Sequence, residues 1–134
     1  RAKLRGVELS SIWQVIDNVS AHFNVNYLDA KNQETNNHLV NKPKTSGYAE
    51  INWQALEKLK TQIRIEHVGV QYTDDARLPS YALVHFNASY RFSDSLSTRI
   101  GIQNLTDVYL PDKSEAFEFV EPGRTLYLGA EVSF

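Results

Sequence analysis

The sequence predicts an all-β fold, an antiparallel meander of about seven strands. Apolar and polar residues alternate along most predicted segments, a period typical of strands with one apolar and one polar face. The alternation is clearest at the end of the chain, where every second residue is apolar: Leu126, Leu128, Ala130, Val132 and Phe134. The connections between alternating segments are short and long in turn. No run of about eighteen apolar residues is present, so no transmembrane helix is predicted.

The first two segments form a predicted hairpin. Residues 4–16 alternate, with Ile12 as the exception, and residues 19–30 alternate more cleanly. Residues 17–18 are Asp and Asn, which both tolerate the backbone geometry of a tight turn. Residues 31–44 are polar, rich in Asn and interrupted by a proline, and therefore predict a long loop.

The third and fourth strands are predicted at residues 45–54 and 59–72. The segment between them, residues 55–58, has helix-forming residues but is too short for a stable helix, so a turn is predicted. The fourth strand carries charged residues on its polar face, and such a face is hard to bury in a small soluble core. Residues 73–80 predict a second long loop.

The remaining strands follow the same pattern. Residues 81–92 and 96–109 predict the fifth and sixth strands, with a short turn at residues 93–95. The alternation is lost beyond Asn104, which is consistent with a β-bulge. A third long loop is predicted at residues 110–122, and the final strand follows it.

Two patterns favour the wall of a transmembrane β-barrel. Such barrels have short periplasmic turns and longer outer loops, and the alternating connection lengths place every short turn on one side. The apolar-face aromatic residues nearest the short turns would form an interfacial belt, and they are Trp13, Trp53, Tyr90, Phe92 and Phe134. A mean hydropathy of −0.41 agrees with this, because the polar half of each strand offsets the apolar half.

Composition excludes several classes of function. A formal net charge of −2 and a pI near 6.1 give no electrostatic basis for nucleic-acid binding. The chain has no cysteine for a disulfide framework, and its four histidines fall on different segments, so no metal site and no cofactor are predicted. No catalytic constellation is present, and we expect the protein not to be an enzyme. The chain begins at Arg1 without a signal peptide, and we expect it to be part of a longer protein.

Three motifs resemble the TonB-dependent outer-membrane receptor family. The ending EPGRTLYLGAEVSF, residues 121–134, is similar to the last strand of these receptors. Residues 102–109, IQNLTDVY, are similar to their penultimate-strand motif Asn-Leu-x-Asp-x-x-Tyr. Residues 6–9, GVEL, are similar to their Gly-x-Glu strand opening. The motifs occur in the order expected of the family, and the resemblance covers essentially the whole chain.

The resemblance implies that residues 1–134 are the C-terminal portion of a large transmembrane β-barrel, with about twenty-two strands and a plugged lumen. It also implies location in the outer membrane of a Gram-negative bacterium. The implied function is active transport, the uptake of a ferric siderophore or a similarly scarce nutrient such as haem or cobalamin. The implied partners are outer-membrane lipid, a plug domain of the same full-length chain, the energy-coupling TonB complex, the barrel-assembly machinery and an iron chelate or similar small ligand.

Three groups of residues are candidates for function. The predicted outer loops, where binding residues usually lie, contribute His38, Asp74, Asp75 and Arg77. The charges expected to form a lumen-facing ladder across neighbouring strands are Lys60, Arg64, Glu66, Arg91, Arg99 and Glu131. The outer-membrane insertion signal implied by the resemblance consists of Ala130, Val132 and Phe134. The alternative explanations are solvated loop residues for the first group and simple packing against lipid for the third.

Two other classes of protein are compatible with parts of the pattern. A soluble all-β ligand-binding or structural module, such as a lipocalin-like barrel or a sandwich, would bring the apolar faces together in one dry core. A different outer-membrane barrel, such as a porin or an adhesin anchor, would have no plug. The motifs at residues 104–107 and 122–124 argue against that second alternative.

Overall fold

The computed structural model describes residues 1–133. The elements within these residues are β1 (Ala2–Ile16), β2 (Val19–Asn32), β3 (Thr45–Leu56), β4 (Leu59–Val68), β5 (Gln71–Tyr72), β6 (Arg77–Leu78), β7 (Tyr81–Arg91), β8 (Leu96–Gln103), α1 (Leu110–Lys113) and β9 (Thr125–Val132). Seven strands form one antiparallel sheet in the order β1-β2-β3-β4-β7-β8-β9, and β5 and β6 pair with each other as a separate hairpin. The predicted all-β antiparallel meander of about seven strands is confirmed.

The connections divide the sheet into two ends. The β1–β2, β3–β4 and β7–β8 connections are short and lie at one end, which we call the short-turn end. Residues 33–44, 69–80 and 104–124 form the long connections at the other end, the loop end. The β1–β2 and β3–β4 turns are stabilised by the same kind of hydrogen bond. The Nε2 atoms of Gln14 and Gln54 each donate a 2.6 Å hydrogen bond to the main-chain oxygen two residues ahead.

Two predicted strands end earlier than the alternation indicated. The predicted fourth strand, residues 59–72, leaves the sheet after Val68. At this point the amide of Gly69 donates a 2.7 Å hydrogen bond to the Thr45 carbonyl, and a Cβ on Gly69 would collide with Thr45. The predicted sixth strand, residues 96–109, ends at Gln103 because Asn104 has a left-handed φ of 50°. A turn follows, and not the predicted bulge.

The two faces of the sheet have the reverse of the polarity expected in water. The apolar face is exposed along its length, with Val7 at 70%, Ile51 at 54% and Leu128 at 80% exposure. The opposite face, which we call the polar face, carries half-buried residues such as Glu50 and Asn52. The dry core required by a soluble module is therefore missing between the apolar side chains of residues 1–133. Exposed apolar surface of this extent marks a contact with membrane or protein.

The aromatic residues of the apolar face cluster at the short-turn end. Trp13 packs edge-on against Phe23 with 5.6 Å between ring centroids, and Tyr90 packs against Phe92 at 4.8 Å. Trp53 lies opposite Val19 at the same end of the sheet. This arrangement agrees with the predicted belt. Phe134, its fifth predicted member, lies outside the described residues.

A small core underlies the long connections at the loop end. Its buried members are Leu78, Tyr81, Leu83, Leu110 and Phe117. Leu110, the first residue of α1, has no exposed surface. Tyr81 and Leu83 alternate in register with the polar-face residue Asn87, so residues 104–124 fold over the polar face at this end. The predicted loop at residues 110–122 is therefore a packed segment. No helix among residues 1–133 has the length and apolar character needed to cross a membrane.

Candidate functional site

A network of charged side chains lies on the polar face of β2, β3 and β4. The Glu50 carboxylate is 3.5 Å from Nη1 of Arg64 and 3.7 Å from Nδ1 of His22. The Nε atom of Arg64 is 2.7 Å from Glu66, and its guanidinium lies 4.1 Å from the ring centroid of Tyr48. Glu50 is the most covered of these charges, with a side chain that is 11% exposed. The arrangement holds the Arg64 head group in one position.

A row of amide side chains continues this network across the sheet. Asn52 donates a 2.8 Å hydrogen bond to Glu50 and accepts one of 3.0 Å from Gln62. Gln62 in turn accepts a 2.9 Å hydrogen bond from Asn87. The hydroxyl of Tyr127 donates to the Oδ1 atom of Asn87. Hydrogen bonds in such chains polarise one another, so the row stiffens the polar face between β3 and β9.

Gly101 provides the space that lets Tyr127 complete the row. Asn87 is on β7 and Tyr127 is on β9, so the tyrosine must reach across β8. Gly101 lies on β8 between them, paired with Asn87 on one side and with Tyr127 on the other. A Cβ atom at Gly101 would overlap the Tyr127 ring. The absence of a side chain at this position is therefore what allows the ring to cross the strand.

We expect Gly101→Val to displace the Tyr127 ring and to break its hydrogen bond with Asn87. Overpacking of this kind costs about 1–3 kcal/mol, so the full-length protein should unfold at a lower temperature in detergent. Gly129→Val is the matched control, because a Cβ at Gly129 meets no atom within 4 Å. Adding Tyr127→Ala to Gly101→Val should recover part of the loss. Equal destabilisation by both glycine substitutions would contradict this explanation.

The other charges of the predicted lumen-facing ladder are arranged differently from Arg64 and Glu66. Lys60 lies opposite Gln54 and Ser89, and Arg99 lies opposite Ser89 and Gly129. Ser97 separates Arg91 from Glu131. Within residues 1–133, these four charges have no ion pair within 4.0 Å. A cavity of about 570 Å³ lies on the polar face, and its lining includes Lys60 and Arg99.

The ligand-contact candidates lie at the loop end. The His38 ring stacks on Tyr72 of the β5–β6 hairpin with 4.5 Å between centroids, and the Nζ atom of Lys44 lies 5.6 Å from the same ring centroid. The amide of Asn41 donates a 2.8 Å hydrogen bond to the Tyr72 carbonyl. Residues 33–44 are therefore attached to the β5–β6 hairpin, although they are distant from it in sequence.

Asp74 and Asp75 lie at the tip of that hairpin and are exposed, and Arg77 is exposed at the start of β6. The tip is closed by Thr73, whose hydroxyl accepts a 2.9 Å hydrogen bond from the Ala76 amide. None of the three charges has an ion pair within 4.0 Å in the part of the chain that the structure describes. The structure therefore presents them at the rim of the loop end, on the hairpin that His38 stacks against.

The sequence motif at residues 104–109 anchors the last long connection. Asn104, only 2% exposed, donates hydrogen bonds of 3.0 and 2.9 Å to the carbonyls of Val108 and Pro122. Its Oδ1 accepts a 2.8 Å hydrogen bond from the Val108 amide. Asp107 accepts a 2.7 Å hydrogen bond from the Arg124 amide. The two motif residues thus join both ends of residues 104–124.

The predicted insertion signal lies only partly within the described residues. Ala130 and Val132 are on the exposed apolar face of β9, where Ala130 pairs with Thr98 and Val132 with Leu96. Phe134 is outside the described residues.

Sequence reasoning missed the continuity of the amide row. Alternation puts Asn52, Gln62 and Asn87 on the polar side of their strands, but it does not give their alignment across strands. The alignment follows from the register, which pairs Asn52 with Gln62 and Gln62 with Asn87. The first pairing depends on a one-residue shift between Gln54 and Leu56. The second joins two strands that are separated by residues 69–80, so no short turn specifies it.

An antiparallel sheet with an exposed apolar face, a hydrogen-bonded polar face and long loops at one end has the architecture of a transmembrane β-barrel wall. Residues 1–105 match the family described as "TonB dependent receptor-like, beta-barrel". The chain belongs to the TonB-dependent receptor family, as its three motifs predicted. Members of this family are outer-membrane proteins that bind siderophores and work with a plug domain and TonB.

The chain resembles several receptors along their barrels. It is 28% identical over 152 residues to ferric enterobactin receptor PirA of Pseudomonas aeruginosa, covering 100% of this chain and 20% of that one. It is 31% identical over 112 residues to vitamin B12 transporter BtuB of Photobacterium profundum, covering 79% and 18%. A solved mutant of a ferric enterobactin receptor from Pseudomonas aeruginosa superimposes with a TM-score of 0.85 at 26% identity, covering 98% and 22%. The chain thus spans about a fifth of the length of these relatives.

Proposed function

We propose that residues 1–134 form the C-terminal part of the barrel of an outer-membrane receptor that imports a ferric siderophore or a similar scarce nutrient. The observation that carries the proposal is the reversed polarity of the sheet, because an exposed apolar face with a hydrogen-bonded polar face suits lipid outside and a wet lumen inside. The names of the relatives, receptors for ferric enterobactin and a vitamin B12 transporter, indicate the class of cargo.

In this proposal the segment performs no bond chemistry. The ligand binds outside at the loops and the plug domain, and the TonB complex in the inner membrane then acts on the plug through the periplasm. The polar face would line the lumen beside the plug, with Lys60, Arg64, Glu66, Arg91, Arg99 and Glu131 as its charged groups. Ala130, Val132 and Phe134 would be read by the barrel-assembly machinery during insertion.

The rim residues His38, Asp74, Asp75 and Arg77 are proposed to contact the ligand. Their support is their position on one joined structure at the loop end, with three charges free of ion pairs within the described residues. Loops held on a rigid scaffold are where binding residues are concentrated.

Deleting the gene for the full-length protein should abolish uptake of one radiolabelled iron chelate in iron-starved cells, and the intact gene should restore it. Ferric enterobactin is the first chelate to test, and cobalamin is the second cargo. A deletion strain that imports every labelled cargo at the wild-type rate would overturn the proposal.

Neutralising the rim should weaken ligand binding. We expect the triple substitution Asp74→Asn, Asp75→Asn and Arg77→Gln to weaken binding of the imported chelate about ten-fold, since each lost charged contact removes roughly 1 kcal/mol or less. Asp94→Asn with Lys58→Gln is the control, because both residues are exposed at the short-turn end. Equal binding by the triple variant and the wild type would remove these residues from the ligand site.

A further inference from the structure

The polar face separates its charges along the length of the strands. The amide row divides this face, because Asn52, Gln62 and Asn87 lie at one height in the register. Among the strand residues that the structure describes on the loop-end side of the row, the charged side chains of this face are Glu8, Glu50, Arg64 and Glu66. On the short-turn side they are Lys60, Arg91, Arg99 and Glu131. The face is therefore net negative toward the loop end and net positive toward the short-turn end.

The cations on the short-turn side are not neutralised by the sheet itself. Arg64, on the loop-end side, is held between the carboxylates of Glu50 and Glu66. Within residues 1–133, Lys60 and Arg99 have no carboxylate within 4.0 Å. Their charge therefore remains available to a group that comes from outside this sheet.

Lys60, Ser89 and Arg99 form one row across three neighbouring strands. The register pairs Ser89 with Lys60 on one side and with Arg99 on the other. Neighbouring strands are about 4.8 Å apart, so the two cationic side chains start from backbone positions roughly 10 Å apart. Both side chains are long enough to bring their head groups over the Ser89 hydroxyl. The row thus presents an ammonium, a hydroxyl and a guanidinium, which can all donate hydrogen bonds to one anionic group.

Two adjoining cavities leave space for such a group. The cavity of about 570 Å³ is lined by all three residues of the row, and a second cavity of about 310 Å³ is lined by Ser89 and Arg99. The first also contains Asp17 in its lining and the second Glu131, and neither carboxylate lies within 4.0 Å of a cation in the part of the chain that the structure describes. Ligand pockets commonly span about 300–1,000 Å³, so this surface can hold a group larger than a single ion.

We propose that Lys60, Ser89 and Arg99 form a transit site in the lumen for the negatively charged groups of an imported iron(III) chelate. The proposal rests on the import function and on the periplasmic placement of the short-turn end given under the proposed function. A chelate that holds iron(III) through ionised phenolate or carboxylate oxygens is an anion, so its charge complements that of the row. It occupies the site after it has left the outer loops and the plug has moved.

The separation of charge gives the transit site a direction. An anion that has passed the amide row is repelled by the net negative side behind it and attracted by the net positive side ahead, so its return toward the loop end is disfavoured. Arginine and lysine side chains line anion-selective pores for the same reason. Ion pairs that stay in contact with water are weak, so the chelate can leave the site toward the periplasm.

The test measures binding and import separately in cells that carry the full-length receptor, with radiolabelled ferric enterobactin as the anionic probe. The neutral variant is Lys60→Gln with Arg99→Gln, and the charge-conserving variant is Lys60→Arg with Arg99→Lys. The control, Lys42→Gln with Lys58→Gln, removes the same charge at exposed residues outside the row. We expect the neutral variant to bind the probe with wild-type affinity in cells without a proton gradient, but to import it about ten-fold more slowly in energised cells, since two weak charged contacts are lost. The charge-conserving variant should retain most of the wild-type rate, and the control all of it.

The amount of heat-modifiable barrel in the outer membrane shows that folded receptors are compared. If the barrel of the neutral variant is absent from the membrane, Lys60→Gln alone replaces it, with import expected to be about three-fold slower than in the wild type.

Several outcomes would overturn the transit site. Import at the wild-type rate by the neutral variant, or equal slowing by the charge-conserving variant, would exclude an electrostatic role for the row. Entry of vancomycin into cells with the neutral variant, but not into wild-type cells, would show that the two cations hold a carboxylate of the plug and not the cargo. A wild-type receptor that imports cobalamin and no iron chelate would also overturn the transit site, but it would leave the proposed function intact. A receptor that imports no labelled cargo would instead contradict the proposed function itself.

Discussion

Replacing Asn104 with alanine is expected to release residues 104–124 from the loop end. The substitution removes three hydrogen bonds, because Asn104 donates to the carbonyls of Val108 and Pro122 and accepts from the Val108 amide. Each lost hydrogen bond costs about 0.5–1.5 kcal/mol, and alanine tolerates the left-handed backbone less well than asparagine. The summed loss is on the order of 2–4 kcal/mol and falls mainly on this connection.

Hydrogen exchange of the full-length protein measures the effect. Amides in residues 104–124 should exchange faster in the Asn104→Ala variant, while those of β2 and β3 remain protected. Asn36→Ala is the matched control, because Asn36 also has a left-handed φ, 58°, but is exposed on a loop. Exchange that rises equally in both variants would show that backbone conformation, and not the hydrogen bonds of Asn104, sets the order of this segment.

Introducing a lysine on the apolar face is expected to block assembly into the membrane. Ile63 lies in the middle of β4 and is 50% exposed on that face. A lysine on the lipid face near the bilayer midplane costs roughly 2–4 kcal/mol. Ile63→Lys should therefore reduce the amount of heat-modifiable, folded barrel in outer-membrane fractions.

The control for this substitution is Ser20→Lys on the polar face of β2, which lies opposite the uncharged residues Gln14 and Asn52 in the register. It adds the same charge to a wet surface and should leave the level of folded barrel near that of the wild type. A soluble module makes the opposite prediction, because an exposed isoleucine in water is replaced by lysine at no cost. Normal levels of the Ile63→Lys barrel in the membrane would contradict lipid contact at this face.

Alternation predicted the strands well where the two faces of the sheet have different surroundings. In the strand residues outside the loop end, one face of the sheet is apolar and exposed and the other face is polar. A period of two is therefore sufficient to find β1, β2, β3 and β7 within a few residues. The short turns also predict that consecutive strands pair in antiparallel order, as the sheet shows.

Alternation failed at the loop end because the two environments no longer differ there. Tyr81 and Leu83 are apolar on the polar-face side, because residues 104–124 cover them. The end of β8 depends on the left-handed backbone of Asn104, and the end of β4 on the close approach of Gly69 to Thr45. These are contacts between distant parts of the chain, and local residue pattern does not encode them. The rim candidates were found by position alone, and the stacking of His38 on Tyr72 could not be foreseen.

The small core at the loop end also bears on how these receptors could acquire new specificities. Leu110 and Phe117 belong to the last connection, whereas Tyr81 and Leu83 belong to β7 and Leu78 to the preceding hairpin. Transplanting the last connection alone into another receptor would expose half of this core and leave the graft disordered. Recombination that preserves function should therefore exchange residues 69–83 and 104–124 as one inherited unit, even though the strand residues between them stay unchanged.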